Sequence, residues 1–197
     1  MPGREARSDT AHTKGWTPVL LASLQETDNL YRLLVLLHVL AVIVGFGSTF
    51  VYPLLGNEAK KHPGLEAKGI SNANQVAGQR LTEPAIYAAG ALGVILVIVG
   101  PFEWEDPWVG LSLVIYVAAL FFSLFVHQPN LKRMDALVNE LAAMGPPPEG
   151  APAGGPPPQV IEMEQRGKAA ARNGGILHLA FAVILILMIW GARGGFA

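Results

Sequence analysis

Four stretches of the chain are apolar without alternation: Leu33 to Leu55, Ala85 to Phe102, Pro107 to His127 and Gly174 to Ala192 contain no Asp, Glu, Lys or Arg. Each runs roughly 18 to 23 residues, close to the 20 or so that an α-helix needs to cross about 30 Å of hydrocarbon. Strands of a membrane barrel are about half that length and alternate apolar with polar positions, which these runs do not. The pattern predicts an all-α fold, a four-transmembrane-helix bundle, with helices at about 30–55, 84–102, 107–127 and 174–192 in one membrane domain spanning 30–192.

Outside these runs the periodicity changes. In "LKRMDALVNELAAM", Leu131, Met134, Val138 and Leu141 recur at helical spacing, so the third helix is expected to continue as an amphipathic segment. "VIEMEQRGKAAAR" is its counterpart leading into the fourth helix. Such a pair packs together, lies on the lipid surface or holds a partner. Between them, "GPPPEGAPAGGPPPQ" is a Pro/Gly linker (145–158), polyproline-like in part and without a packed core. The loop 128–173 is therefore helical at its flanks and Pro-rich in the middle. At the other end of the chain, "MPGREARSDTAHTKG" reads as a polar tail, and "WTPVLLASLQETDNLYR" suits an interfacial segment, with Asp28 or Asn29 as N-cap to the first span. The region 1–29 is thus tail plus interfacial segment, and 193–197 is a short C-terminal tail.

Composition agrees with the pattern. Hydrophobic residues make up 51% and charged residues 15% of the chain, with mean hydropathy +0.38; soluble domains carry about 25% charged residues. A net charge of −1 gives no support to a nucleic-acid surface. With no cysteine, disulfides, thiol catalysis and thiolate metal sites are excluded. The first apolar run begins some 30 residues in and exceeds the 7–15 residues of a signal-peptide core, so it is expected to be retained as a helix.

Charge distribution sets an expected orientation. Nine Lys and Arg residues lie between spans 1 and 2 or between spans 3 and 4, and five lie in the N-terminal region or at the C-terminal end, while the connection "FEWEDPW" has none. The positive-inside rule then places both termini outside and the loops 56–83 and 128–173 in the cytoplasm. Trp16, Trp104, Trp108 and Trp190 all fall on the outer side, where an aromatic belt would anchor them.

His38 is the one imidazole deep in an apolar run. Helix 1 places His38, Ala41, Gly45, Ser48 and Tyr52 on one face. Ala41, Gly45 and Thr49 form a small-residue series that matches Ala85, Ala89 and Gly93 on helix 2, so these ridges are expected to pack and His38 to face protein. His38 lies seven residues below Tyr31, about 10 Å, and Tyr116 eight below Trp108, about 12 Å, so the two are level. One reading is a buried polar network in which His38 and Tyr116 hydrogen-bond each other. The other is functional, with His38 ligating haem or relaying a proton. His127 and His178 close helix 3 and open helix 4 at similar height, about 20 Å from His38, so a bis-histidine haem site would use those two alone. His12 and His62 read as solvated.

Two carboxylate groupings remain. Glu103, Glu105 and Asp106 form a solvated acidic turn, with cation binding as the alternative. Arg80 and Glu83 are spaced for a helix-surface ion pair, and Glu83 also suits the helix start beside Pro84. There is no Walker motif, no HExxH and no GxSxG. No catalytic residue and no metal site is assigned.

The order "LLVLLHVLAVIVGFG", "LTEPAIYAAGALGVILVIVG", "PWVGLSLVIYVAALFFSLFVHQPNLKRM" resembles a bacterial family of predicted integral membrane proteins, domain of unknown function 2269, over about residues 30–140. The shared features are the LHVL opening with His38, Thr82 with Pro84 at the start of helix 2, and Arg133 with Met134 after helix 3. The helix 1 opening is also similar to copper-resistance D proteins and to bacterial protoporphyrinogen oxidase, which carry a histidine early in a comparable helix. The resemblance implies a membrane fold in the bacterial inner membrane, and the wider similarity implies haem b as the cofactor to test. It does not extend to a second deep histidine or a copper-type cluster, which this chain lacks. Three functions are open: a non-catalytic accessory or assembly component of a membrane complex, with a membrane-protein partner or as a homo-oligomer in the lipid bilayer; a haem-binding or redox protein using His38, or His127 with His178; and small-solute or ion transport as an oligomer.

Overall fold

The computed structural model describes residues 17–62, 64–145 and 155–191, with side chains from residue 27 onward. The polar tail with Trp16, most of the Pro/Gly linker and the C-terminal tail lie outside the described residues. Within them the chain is all-helical: α1 Thr17–Thr49, α2 Val51–Lys61, α3 Leu65–Ala77, a π-helical turn Gly78–Thr82, α4 Glu83–Val99, α5 Pro107–Phe122, a second π-helical turn Ser123–His127, α6 Gln128–Met144 and α7 Pro158–Gly191.

These pieces join into four rods long and apolar enough to span a membrane: Thr27–Lys61, Leu65–Val99, Pro107–Met144 and Pro158–Gly191. A 35-residue rod is about 52 Å long, roughly 20 Å more than the hydrocarbon core, so each rod extends past its span. All four extensions lie at one end and form a polar cap of α2, α3, α6 and the first half of α7. The stretch 56–83, read from sequence as a loop, is thus largely helical. Gly64, at φ +83°, makes the turn between α2 and α3 that no side-chain-bearing residue adopts readily, and Gly145, at φ +68°, ends α6. The segment before Tyr31 differs too: α1 starts at Thr17, so neither Asp28 nor Asn29 is an N-cap, and Asp28 pairs with Arg32 at 2.6 Å.

Where three of the four spans meet the cap, the rod is interrupted beside a proline. α1 and α2 part at Phe50, three residues before Pro53; the two π-helical turns end two residues before Pro84 and Pro129. A proline donates no backbone hydrogen bond and crowds the carbonyl four residues back, and a widened or broken turn relieves that clash. α7 has the Gly174–Gly175 pair instead and stays continuous.

Within the spans α1 packs chiefly on α4 and α5 on α7, giving two helical hairpins. In the cap, α3 meets α6 and α6 meets α7, and Leu137, at 0% exposure, is the most deeply buried large side chain. Leu137 lies outside the stripe expected from sequence, where Leu131 remains exposed. In each span only 6–17% of the apolar window is buried, so the outward faces require lipid in place of water. The short turn after α4 is stacked at the opposite end, Phe102 against Trp108 edge-on at 5.0 Å.

Candidate functional site

α4 holds the deep polar groups by offering notches and carbonyls on one face. At Gly93 a Cβ would stand 3.2 Å from the His38 ring, and at Gly90 it would overlap the Tyr116 ring. The ring nitrogen Nδ1 of His38 lies 2.9 Å from the Ala89 carbonyl, and the Tyr116 hydroxyl donates to the Ile86 carbonyl at 3.1 Å. The expected His38–Tyr116 bond is therefore not formed. Each side chain instead uses the second lone pair of a helical carbonyl, an acceptor that no spacing argument on helices 1 and 3 includes. Because a carbonyl only accepts, Nδ1 carries the proton and Nε2 keeps a lone pair, for which no partner is present among the described residues.

α1 packs on α4 most closely at Gly45. A Cβ at Gly45 would stand 3.0 Å from the Ile86 amide nitrogen, so the two backbones are nearly in contact there. Ala89 is buried at 7% exposure, Ala41 and Ala85 are half-buried, and Gly93 receives His38. Thr49 leaves the series: its hydroxyl turns toward α7, 2.9 Å from Nε2 of His178.

At the junction of spans and cap all four rods contribute to a polar layer that sequence spacing did not reveal. Ser48 donates to the Gly45 carbonyl at 3.1 Å, and its oxygen lies 2.7 Å from that of Thr82, which is 5% exposed. Tyr52 bonds Thr82 in turn, so a directed chain of hydroxyls runs Tyr52 to Thr82 to Ser48 to Gly45. Asn74 donates to the Tyr52 carbonyl at 3.4 Å, leaving its own Oδ1 buried without a partner among the described residues. Gln128 donates to Glu83 at 3.1 Å and ties the two hairpins. That replaces the Arg80–Glu83 pair expected from sequence, since the widened turn between them breaks the ordinary three-residue alignment. The prolines at helix-start spacing were the signal in the sequence that marked this layer.

The two inner histidines are placed differently from each other. His178 sits against Phe46 and Phe50, Phe46 stacking in turn on Phe181, with Nδ1 at 2.8 Å from the Gly174 carbonyl and Nε2 on Thr49. Both of its ring nitrogens are engaged, so the paired haem site with His127 does not fit this arrangement. His127 lies in the second π-helical turn within electrostatic reach of His178, its Nδ1 buried and without a hydrogen-bond partner among the described residues. No cluster of three His, Cys, Asp or Glu with metal-ligand geometry occurs among the described residues. At the far end Asp106 caps the Glu103 amide at 3.1 Å, and Glu103 and Glu105 are exposed.

In the cap, Arg133 clasps Glu162 through two bonds of 3.0 and 2.8 Å and reaches Glu140 at 2.7 Å, while Arg166 holds Glu162 at 2.7 Å. The two guanidinium groups, Arg133 first, hold the Glu162 carboxyl down at about 2. The same bonds raise Arg133 above its ordinary range. His62, read as solvated, is exposed and bridges Glu58 and Glu66 at 3.1 and 3.0 Å.

A family described as "Predicted integral membrane protein (DUF2269)" has a sequence model that matches residues 32–191, from the first span to the end of the fourth. No curated protein and no solved structure matches the chain, so the wider similarity to copper-resistance D and protoporphyrinogen oxidase proteins finds no counterpart there.

Proposed function

The chain belongs to this family of predicted integral membrane proteins, and from that footing we propose that it is a non-catalytic accessory or assembly component of a membrane complex. The observation that carries the reading is where the polar side chains of the spans go. Ser48, Tyr116 and His178 each bond another helix of the bundle, through Thr82, Ile86 and Thr49. Polar groups committed to holding helices together in a medium without water are what a scaffold requires. Outside the spans the helices continue as a cap clasped by Arg133, Glu162 and Arg166, a shaped surface for a partner. The uneven Lys and Arg distribution supports placing that cap in the cytoplasm of a bacterial inner membrane, with both termini outside. Purification of tagged protein in mild detergent tests the reading. A stoichiometric companion or a homo-oligomer is expected, and a clean monomer under those conditions sinks it.

One observation favours a second reading, in which His38 ligates haem b. A ring with Nδ1 fixed on a backbone carbonyl and Nε2 unoccupied is the arrangement of a supported metal ligand, and bound haem would supply electron transfer. A reduced-minus-oxidised spectrum of protein from cells fed a haem precursor decides it: a stoichiometric b-type signal lost in His38→Ala supports ligation, and a colourless wild type removes it.

A further inference from the structure

We propose that the junction of spans and cap carries a belt of cations that binds the phosphate headgroups of anionic lipids, with Arg80, Arg172 and Lys132 as its members. Arg80 stands in the first π-helical turn, two residues before buried Thr82; Arg172 precedes buried Asn173; Lys132 lies five residues past His127, about 7 Å along the helix. All three are exposed, on three different rods, and none has an ion-pair partner among the described residues. Four other cations of the cap differ, although Lys60 and Lys68 are likewise without an ion-pair partner among the described residues. Arg133 and Arg166 share Glu162, Lys168 pairs with Glu164 at 2.8 Å, and Lys61 with Glu58 at 2.8 Å.

The acids beside the belt are engaged elsewhere. Glu83 accepts from Gln128, and Asp135 accepts from Ser71. Nothing within the described residues neutralises the three cations, and their height, where the uncharged spans end, is that of the lipid headgroups. Among the described residues the opposite end has the reverse character. Arg32 is paired with Asp28, and Glu103, Glu105 and Asp106 stand in the connection between α4 and α5. Among the described residues, charge complementarity therefore points to anionic lipid at the cap end. Arginine matches the phosphate with a two-pronged fork, and each cation near an anionic surface adds about fivefold in affinity.

Full-length protein in mixed vesicles of phosphatidylcholine and phosphatidylglycerol is the test, with co-purifying lipid read by native mass spectrometry. Wild type is expected to retain phosphatidylglycerol selectively, and added salt to weaken the preference. Arg80→Gln with Arg172→Gln is expected to lower retention by about 25-fold at two cations, if the contributions multiply. The control Lys68→Gln with Lys168→Gln makes the same change in net charge farther from the membrane and is expected to leave retention unchanged. Circular dichroism confirms that each variant is folded. Equal retention of both lipids by wild type, or equal loss in the two double variants, overturns the proposal. If the first double variant unfolds, single Lys132→Gln against single Lys68→Gln gives the same comparison.

Discussion

His38 and Tyr116 come from different helices and bond the same third helix one turn apart. The imidazole takes the Ala89 carbonyl at 2.9 Å and the phenol that of Ile86 at 3.1 Å, each ring lying over a glycine of α4. The close fit at those glycines has measurable consequences.

Gly90→Ala places a methyl group inside the volume of the Tyr116 ring, whereas at Gly93 the His38 ring edge, 3.2 Å away, has to yield by only a few tenths of an ångström. Overpacking of the first kind costs about 1–3 kcal/mol. Thermal unfolding in one detergent should rank Gly90→Ala well below Gly93→Ala. Gly110→Ala, which meets nothing within 4 Å, should match wild type or exceed it.

Removing only the Tyr116 hydroxyl is a milder change. Interhelical hydrogen bonds in membranes average about 0.6 kcal/mol, with a ceiling near 1.7. Tyr116→Phe is therefore expected to lower the unfolding midpoint slightly and to leave the fold intact. A loss as large as that of Gly90→Ala would show that the bond, not the ring fit, holds the hairpins.

Thr82 joins Tyr52 to Ser48 and is 5% exposed. Thr82→Val keeps its shape but leaves the half-buried Ser48 and Tyr52 hydroxyls without their shared partner, at about 0.6 kcal/mol per interhelical bond and about 1.7 at most. Thr82→Ser should recover most of that. Equal stability of the valine and serine variants in unfolding scans would show that the hydroxyl chain contributes nothing.

Glu162 governs the acid response of the cap. Its folded value of about 2 lies below the ordinary 4.5, so the clasp with Arg133 and Arg166 is fully present above about 4.5 and is lost as pH falls through about 2. Hydrogen exchange of α6 and the first half of α7, corrected for intrinsic rates, should accelerate across that window. Glu162→Gln should exchange faster already at neutral pH, with a flatter dependence on acid.

How much of this was legible in the residues differs from one part to another. The four spans were, because a bilayer demands a long uncharged helix and residue type alone reports that. The small-residue approach of α1 and α4 was, since Gly45 is the position where a missing side chain decides how near two backbones come. The helices α2 and α3 were not. They contain Gly56 and Gly69 and several charges, with Pro63 and Gly64 between them, and their order comes from packing on each other and of α3 on α6, which is distant in sequence.

For the candidate site, helical rise placed His38 and Tyr116 near one depth but said nothing of rotation about each axis. It also omitted the carbonyls of α4, since backbone acceptors are the same in every sequence. By itself the sequence determined the number of spans, the cap end with its excess of cations, and the prolines that interrupt three rods, because these follow from local composition and backbone sterics. Only the tertiary structure decided which groups meet: His38 with Ala89, Thr49 with His178, Glu83 with Gln128. Those pairs depend on the register and rotation of antiparallel helices, set by the fit of many side chains at once and written at no single position.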